Sequence, residues 1–600
     1  MSAKRLFDFL TEQISKRPDA NFLSAKEPTA SGKEWKHYTF KQAQNYADMI
    51  SQLLINLGVK QDDKIAIIST NRPEWNFVDF GAMQLGIIPV PMYPTISEKD
   101  YEFIFNDASI QYAFVGDKTV YEKVLPLMGR VTSLKGIYSF DKIEDAVYLN
   151  SVLPSLDKVN WTEIQKAKDS INENKLATII YTSGTTGNPK GVMLSHKNIV
   201  SNIHSVKQVT PFNEGEKSLS FLPLCHSLER TAFYAYLSKG IHIHYAESLE
   251  TIATNLKEVQ PYCFTTVPRL LEKIYEKIMV KGNEQTGLKR KLFFWSIDLG
   301  LNYELGNHRS AWYNLQLALA RKLIFSKWKE ALGGHVQFIV TGAAPMQPRL
   351  IKLFTAAGII VIEGYGLTET APVLCLNRLD EEHRAIGTVG MAIPGVEIKM
   401  AEDGEILAKG DNIMLGYYNR KDLTDEVIDK DGWFHTGDIG VWIERDGNKF
   451  LKITDRKKEL FKTSGGKYVA PQVIENKMKE SRYIEQIMVL GEAQKFVSAL
   501  IVPSFVNLAD WAKHNGITLE NNERIVDNSK IKALINYEIE RLNEDFGKWE
   551  QIKKFTLLPG EWTIESGELT PSLKVKRKFI MQKYKSQVEE LYINERETVI

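Results

Sequence analysis

Tyr181-Thr182-Ser183-Gly184-Thr185-Thr186-Gly187-Asn188-Pro189-Lys190-Gly191-Val192-Met193-Leu194-Ser195-His196 is the stretch around which the chain is read. Gly184, Gly187 and Gly191 let the backbone take tight or left-handed conformations and approach a ligand closely. The hydroxyls of Thr182, Ser183, Thr185 and Thr186, together with N–H groups turned into one concavity, form a nest suited to phosphate. Lys190 sets a positive charge beside it. The apolar residues 177–181 read as a buried strand leading in. Val192 to Leu194 read as a short strand leading out, with Ser195 as N-cap of a following helix. A Walker A loop needs G-x-x-x-x-G-K-[ST] between a strand and a helix. Here the fifth residue after Gly184 is Pro189, and Lys190 is followed by Gly191. The loop is a phosphate grip of another kind.

Six hundred residues exceed what one core organises, so two or more domains are expected. With 43% hydrophobic and 25% charged residues the chain is globular. A net charge of +1 gives no electrostatic footprint for nucleic acid. Cys225, Cys263 and Cys375 lie far apart, which excludes a zinc ribbon or disulfide framework and fits a reducing compartment. The first residues lack the apolar core of a signal peptide, and no run of 18 apolar residues suggests a membrane span. A cytoplasmic location is expected, with at most a peripheral membrane contact.

Strand and helix patterns alternate outward from the loop. Helical periodicity covers residues 38–57, Lys64 to Ser69 reads as a strand, and Pro73 opens a helix ending near Gly86. Ile87 to Pro91 and Tyr112 to Val115 are further strands. Ser218 to Leu222, Ile241 to Tyr245, Tyr262 to Thr266, His335 to Val340 and Ile359 to Ile362 continue the series, with a long helical region from Pro268 to about Leu332. Such alternation implies parallel sheets with helices on both faces. Ligands then sit at the C-terminal ends of strands, where Thr341-Gly342-Ala343-Ala344-Pro345 and Glu363-Gly364-Tyr365-Gly366-Leu367-Thr368-Glu369-Thr370 hang. After Gly387 the texture changes to short β segments punctuated by Gly and Asp. Asp455-Arg456-Lys457-Lys458-Glu459 reads as a linker to a small α+β unit, whose end carries Leu573-Lys574-Val575-Lys576-Arg577-Lys578.

These segments together resemble the adenylate-forming superfamily of acyl-CoA synthetases, adenylation domains and luciferases. The likeness spans nearly the whole chain. It rests on Thr-Ser-Gly-Thr-Thr-Gly-Asn-Pro-Lys-Gly, Gly-Tyr-Gly-Leu-Thr-Glu, Trp-Phe-His-Thr-Gly-Asp and Asp-Arg-Lys-Lys-Glu-Leu in order, followed by a final lysine. Val267-Pro268-Arg269-Leu270 with the helical insertion after it, Leu569-Thr570-Pro571-Ser572-Leu573-Lys574, and Asp455 before Arg456 make it most similar to long-chain fatty-acid CoA ligases. The resemblance implies an α/β fold. A large N-terminal domain of doubly wound sheets with a distorted β-barrel subdomain spans 1–455. A small mobile α+β domain spans 456–600.

The reaction so implied has two steps. A fatty carboxylate attacks the α-phosphate of ATP, giving acyl-AMP and pyrophosphate; the thiol of CoA then displaces AMP. Fatty carboxyls are ionised at neutral pH, so the first step needs charge neutralisation and alignment in place of a general base. The resemblance assigns the 182–191 loop to the leaving pyrophosphate and Glu369 to Mg²⁺, a hard cation that takes oxygen ligands. A loop hydroxyl, with Thr182 the candidate, assists the metal. Tyr365 is to stack on adenine, with Gly342, Ala343 and Ala344 along the other face and Glu363, Gly364, Gly366 and Thr368 in the same loop. Read alone, Tyr365 is a core aromatic. Asp438 and Arg456 are to meet the ribose hydroxyls, since a carboxylate accepts two hydrogen bonds. Lys574 is to stabilise the adenylation transition state, and His226 to lie near the acyl and thiol path; read alone, His226 is a satisfied histidine at a strand end. The resemblance also makes Lys458 the expected hinge about which the small domain is to turn, bringing Gly465 and Gly466 toward CoA.

Each buried CH₂ of an acyl tail contributes roughly 0.8 kcal/mol, so a long chain binds well, and nothing in the sequence shows the wall that sets its length. Two readings stay open for residues 312–332: a segment resting on a membrane, or an amphipathic helix packed on the large domain. An acyl-AMP ligase serving a carrier protein and a ligase for aryl or medium-chain acids remain alternatives, and a homodimer is compatible with the sequence.

Overall fold

A computed structural model describes residues 3–29, 32–182, 188–306, 309–517, 521–570 and 574–593. Short apolar strands alternating with helices build two sheets. The smaller has five strands in the order Ile88–Met92, Lys64–Ile68, Ile110–Val115, Gly136–Ser139 and Val147–Tyr148, each parallel to its neighbour. The larger has nine: Met391–Ala392, Val373–Leu376, Ile360–Gly366, Phe338–Thr341, Cys263–Thr266, Lys217–Ser220, His242–Tyr245, Asn21–Thr29 and Gly32–Thr39. Its middle is parallel and both ends are antiparallel.

The hairpin Asn21–Thr29 and Gly32–Thr39 carries no apolar run, because most of its second strand is exposed. It joins the sheet through Leu23 and Ser24, which pair with Ile243 and His244. The region predicted as helical from Pro268 onward resolves into Pro268–Asn283, Gly287–Leu301, Ala311–Ala320 and Ser326–Ala331, with a widened turn at Arg321–Phe325. One break falls at Gly287, whose φ of 55° a right-handed helix does not admit.

A three-stranded sheet holds Gly416–Tyr417, Lys190–Ser195 and Leu176–Thr182. Thr182 pairs with Lys190, so the phosphate-loop sequence joins the ends of an antiparallel pair. Ser195 caps the helix His196–Val209, its hydroxyl accepting from the Asn198 amide at 3.1 Å. The β segments after Gly387 form a four-stranded antiparallel sheet of Val396–Met400, Glu405–Gly410, Phe434–Arg445 and Asn448–Arg456. Backbone bonds of Leu451 with Val389 and Gly390 curl its last strand toward the nine-stranded sheet.

Asp455 and Arg456 lie in that last strand, so the charged run read as a linker shrinks to a turn at 457–459. Asp455 is buried there, and its Oδ2 accepts from the amide of Gln472 at 3.2 Å. Gln472 sits at the start of the helix Pro471–Met478 of the C-terminal unit. That unit packs this helix and Ser529–Asn543 on a sheet of Ile484–Leu490, Val497–Pro503 and Ile552–Leu557.

One ion pair is buried at the heart of the large part. Arg230 and Asp79 are each 1% exposed and meet at 2.5 Å. Tyr234 donates to the other Asp79 oxygen at 2.7 Å, and Arg230 donates to Thr178 Oγ1 at 2.6 Å. The pair therefore ties the helix Ser227–Ser238, which starts beside His226, to the strand that leads into the phosphate loop.

Candidate nucleotide and acyl-transfer site

The C-terminal ends of Phe338–Thr341 and Ile360–Gly366 lie side by side, with Thr341 paired to Glu363. A Cβ added at Gly342 would stand 3.3 Å from the Gly364 carbonyl oxygen, and Ala343 takes a left-handed φ of 67°. Small residues thus leave a flat backbone shelf here. Glu363 is buried; its Oε1 accepts from the Met346 amide at 3.0 Å, and its Oε2 has no hydrogen-bond partner among the described residues. Burial pushes its carboxyl up to about 8.

Tyr365 is buried with Leu374, Cys375, Ile406 and Leu451, and its hydroxyl donates to Asp438 Oδ2 at 2.7 Å. Asp438 faces Arg456 across the strand pair, with Nε to Oδ1 at 3.3 Å. Burial raises the Asp438 carboxyl above its ordinary value, and the Arg456 guanidinium opposes that shift. Thr368 lies 3.3 Å, oxygen to oxygen, from Ser227, which links the loop to the helix beginning after His226.

Ser183, Gly184, Thr185, Thr186 and Gly187 lie outside the described residues. Lys190, at the foot of their loop, places its ammonium 5.0 Å from the ring centre of Tyr417. The Tyr417 hydroxyl donates to Glu369 Oε1 at 2.8 Å. Tyr417 is a site residue that sequence reasoning missed. It arrives by pairing with Val192, and its Gly-Tyr-Tyr setting carries no spacing signal.

Lys574 comes from the C-terminal unit. Its amide donates to Thr570 Oγ1 at 3.0 Å and its carbonyl accepts from the Thr570 amide at 2.8 Å. Burial pushes its ammonium down to about 8. Arg456 adds to that shift, while Asp438, Glu369 and Glu459 oppose it. His226 is pushed down to about 4, by burial first and by Lys574 second. Its Nδ1 accepts from the Leu228 amide at 3.2 Å. Lys574, His226, Asp438, Arg456 and Glu369 therefore share one neighbourhood across the two parts of the chain. Lys458 is exposed in the 457–459 turn. Gly465 and Gly466 are exposed between Phe461–Lys462 and Tyr468–Val469, and a Cβ built on either meets no residue of the large part within 4 Å. The structure brings Lys574 in and leaves these glycines outside.

An ionic cluster holds this arrangement. Arg269, in the helix Pro268–Asn283, pairs with Glu485 of the C-terminal unit and lies 3.5 Å from Glu561. Lys273 is 3.2 Å from Glu561 and 3.8 Å from Glu485. Burial and the neighbouring Glu485 push the Glu276 carboxyl well above its ordinary value, which eases the crowding of negative charge in the cluster. Arg269→Ala leaves the partly buried Glu485 short of a partner, at a cost of roughly 2 kcal/mol. The expected result is faster tryptic cleavage at Lys457 and Lys458, read by mass spectrometry of the fragments. An unchanged cleavage rate would show that the cluster does not hold the two parts together.

Comparison with known proteins gives this geometry its family. Residues 10–418 match the AMP-binding enzyme family and residues 459–596 match the AMP-binding enzyme C-terminal domain. The chain belongs to the AMP-binding, adenylate-forming enzymes, on the long-chain acyl-CoA synthetase branch. It is 31% identical over 567 residues to the long-chain-fatty-acid–CoA ligase FadD15 of Mycobacterium bovis, covering 94% of this chain and 93% of that one. It is 34% identical over 594 residues to long-chain-fatty-acid–CoA ligase 1 of Homo sapiens, covering 93% and 82%. Among solved structures, the anthranilate CoA ligase AuaEII in complex with anthranoyl-AMP superposes with a TM-score of 0.72 at 16% identity, covering 98% of both chains. That likeness speaks for the fold alone.

Proposed function

We propose that this chain joins long-chain fatty acids to CoA at the expense of ATP, through an acyl-adenylate, releasing AMP and pyrophosphate. The carrying observation is Lys574 of the C-terminal unit standing among Asp438, Arg456, Glu369 and His226. In the first step the fatty carboxylate and the α-phosphate approach as two anions. Lys574 and Lys190 supply the opposing positive charge, and the fixed partners of each group keep reorganisation small. The shelf at Gly342–Ala344 receives the adenine. Glu363 Oε2, without a partner among the described residues, is left to bond the adenine edge, and Asp438 and Arg456 meet the ribose. Tyr365 lines this pocket. The 182–191 loop holds the leaving pyrophosphate.

Glu369 fits a magnesium ion: Tyr417 engages one carboxylate oxygen and leaves the other for a hard cation. With Thr182 it would hold Mg²⁺, which supplies charge neutralisation on the phosphate oxygens when bound. For the second step the small domain, the residues that follow the strand ending at Arg456, turns about Lys458. That motion withdraws Lys574 and brings Gly465 and Gly466 to the thiol path near His226.

A peripheral membrane contact belongs to the same reading. The segment around Ala311–Ala320 packs through Leu317, Ala320, Phe325 and Trp328, yet exposes Trp312, Leu315, Leu319 and Leu323 on its outer side. Exposed Lys322 and Lys327 flank this stripe. Apolar and basic residues together suit an anionic bilayer, where long-chain acids partition. No helix among the described residues is long and apolar enough to cross a membrane.

The test is incubation with ATP, Mg²⁺, CoA and palmitate. Palmitoyl-CoA and pyrophosphate in equal amounts are expected, with benzoate a poor substitute. Pyrophosphate release without a thioester would favour a carrier-loading ligase. The pH profile gives a second check. The Lys574 ammonium is complete about one unit below its value near 8 and is lost as pH rises through it. For the free enzyme, kcat/KM of the adenylation half-reaction should therefore fall about tenfold per pH unit above that value. Lys574→Arg should remove this descending limb; a limb unaltered by the substitution would assign it elsewhere.

A further inference from the structure

At the other end of the nine-stranded sheet, three histidines converge. Ser24 is the register partner of His244 on one neighbouring strand and of His37 on the other. His242, two residues before His244, projects to the same face. The ligating nitrogens of His37, His242 and His244 all lie within 4.8 Å of one another. The Ser24 hydroxyl sits 2.6 Å from His37 Nδ1 and 2.6 Å from His242 Nε2. The rings of His242 and His244 are 4.0 Å apart, and Trp35 closes edge-on against His244 at 5.1 Å. His242 and His244 are buried, His37 is exposed, and His244 Nδ1 has no hydrogen-bond partner among the described residues. None of these residues belongs to the nucleotide site.

The geometry points to a transition-metal site, for Zn²⁺ or an ion of similar preference, held by His37, His242 and His244 with the Ser24 hydroxyl or a water completing the shell. Imidazole nitrogen suits such ions, and three histidines with one further ligand is an ordinary zinc set. Metal–nitrogen bonds of 2.0–2.1 Å require nitrogens about 3.4 Å apart in a tetrahedron. The exposed His37 ring, on the edge strand, can supply that closure by rotation. Imidazoles bind metal only when neutral. A bound ion would staple the hairpin Asn21–Thr39 to the strand His242–Tyr245.

The experiment uses the full chain without a histidine tag, stripped with chelator and titrated with Zn²⁺ and with Co²⁺. One tight equivalent per chain is expected, with visible Co²⁺ bands of tetrahedral intensity and a Zn²⁺-dependent rise in the unfolding midpoint. His37→Ala, at an exposed position, and His244→Gln should each weaken zinc binding at least tenfold and abolish the Co²⁺ bands. Metal binding that is the same in wild type and His37→Ala would overturn the site, as would a wild-type protein that takes up no tight equivalent.

Discussion

Lys574→Ala is expected to slow acyl-adenylate formation about a hundred- to a thousandfold, the loss seen when one preorganised charge-stabilising donor is removed. Thioester formation from supplied acyl-AMP and CoA should stay within a few-fold of wild type. The contrast follows from where Lys574 sits. In this arrangement it lies among Asp438, Arg456 and Glu369, while Gly465 and Gly466 are turned to solvent. In the proposed function the lysine serves one posture of the small domain and the glycines the other. Rapid-quench measurement of pyrophosphate in the first half-reaction, and of acyl-CoA in the second, separates them. Equal loss in both would remove Lys574 from the assigned role, and an unchanged unfolding midpoint excludes a folding defect. The truncation also relieves crowding of positive charge against Arg456, so the loss should appear in kcat more than in ATP affinity.

Asp79→Ala should cost about 3–5 kcal/mol of stability, because it strands the Arg230 guanidinium in a dry core. It also frees the Tyr234 hydroxyl and loosens the grip of Arg230 on Thr178. Thermal unfolding followed by fluorescence should show a lowered first transition. The pair Asp79→Leu with Arg230→Met should recover most of the loss, since apolar residues of similar volume replace a buried ion pair at little cost. A single substitution that leaves the midpoint unchanged would mean that water reaches the pair. The effect on catalysis is indirect: the strand bearing Thr178 ends at Thr182, the base of the phosphate loop.

Which parts of this were legible in the sequence follows from how local each signal is. The loop at 181–196 announced itself, because glycine, hydroxyl and lysine side by side have one common use and the flanking apolar runs define strands. Ser195 was readable as a cap for the same reason. Tyr417 was not: it reaches Lys190 and Glu369 only through a short strand paired to Val192, more than two hundred residues away. The hairpin from Asn21 was missed because its second strand faces solvent and lacks an apolar run. Asp455 and Arg456 looked like linker because they open a charged run. Only strand pairing with Asp438 and Ile439 reveals them as sheet residues. Lys574 is one basic residue among several near the end of the chain, and family resemblance alone singled it out.

The parallel pairing of Leu23 with Ile243 has a consequence for synthesis. A ribosome emits the hairpin Asn21–Thr39 early, but the strand that completes it follows 220 residues later (243 minus 23). At ordinary elongation rates of 5–20 residues per second that interval is about 10–45 s. For all of it the early strand must persist with an unpaired edge, long after the five-stranded sheet, finished by Tyr148, has every one of its strands available. The nascent chain is therefore most exposed to chaperones and to mispairing during that wait, and slowing or speeding translation between residues 148 and 245 should change the yield of folded protein more than the same change anywhere after it.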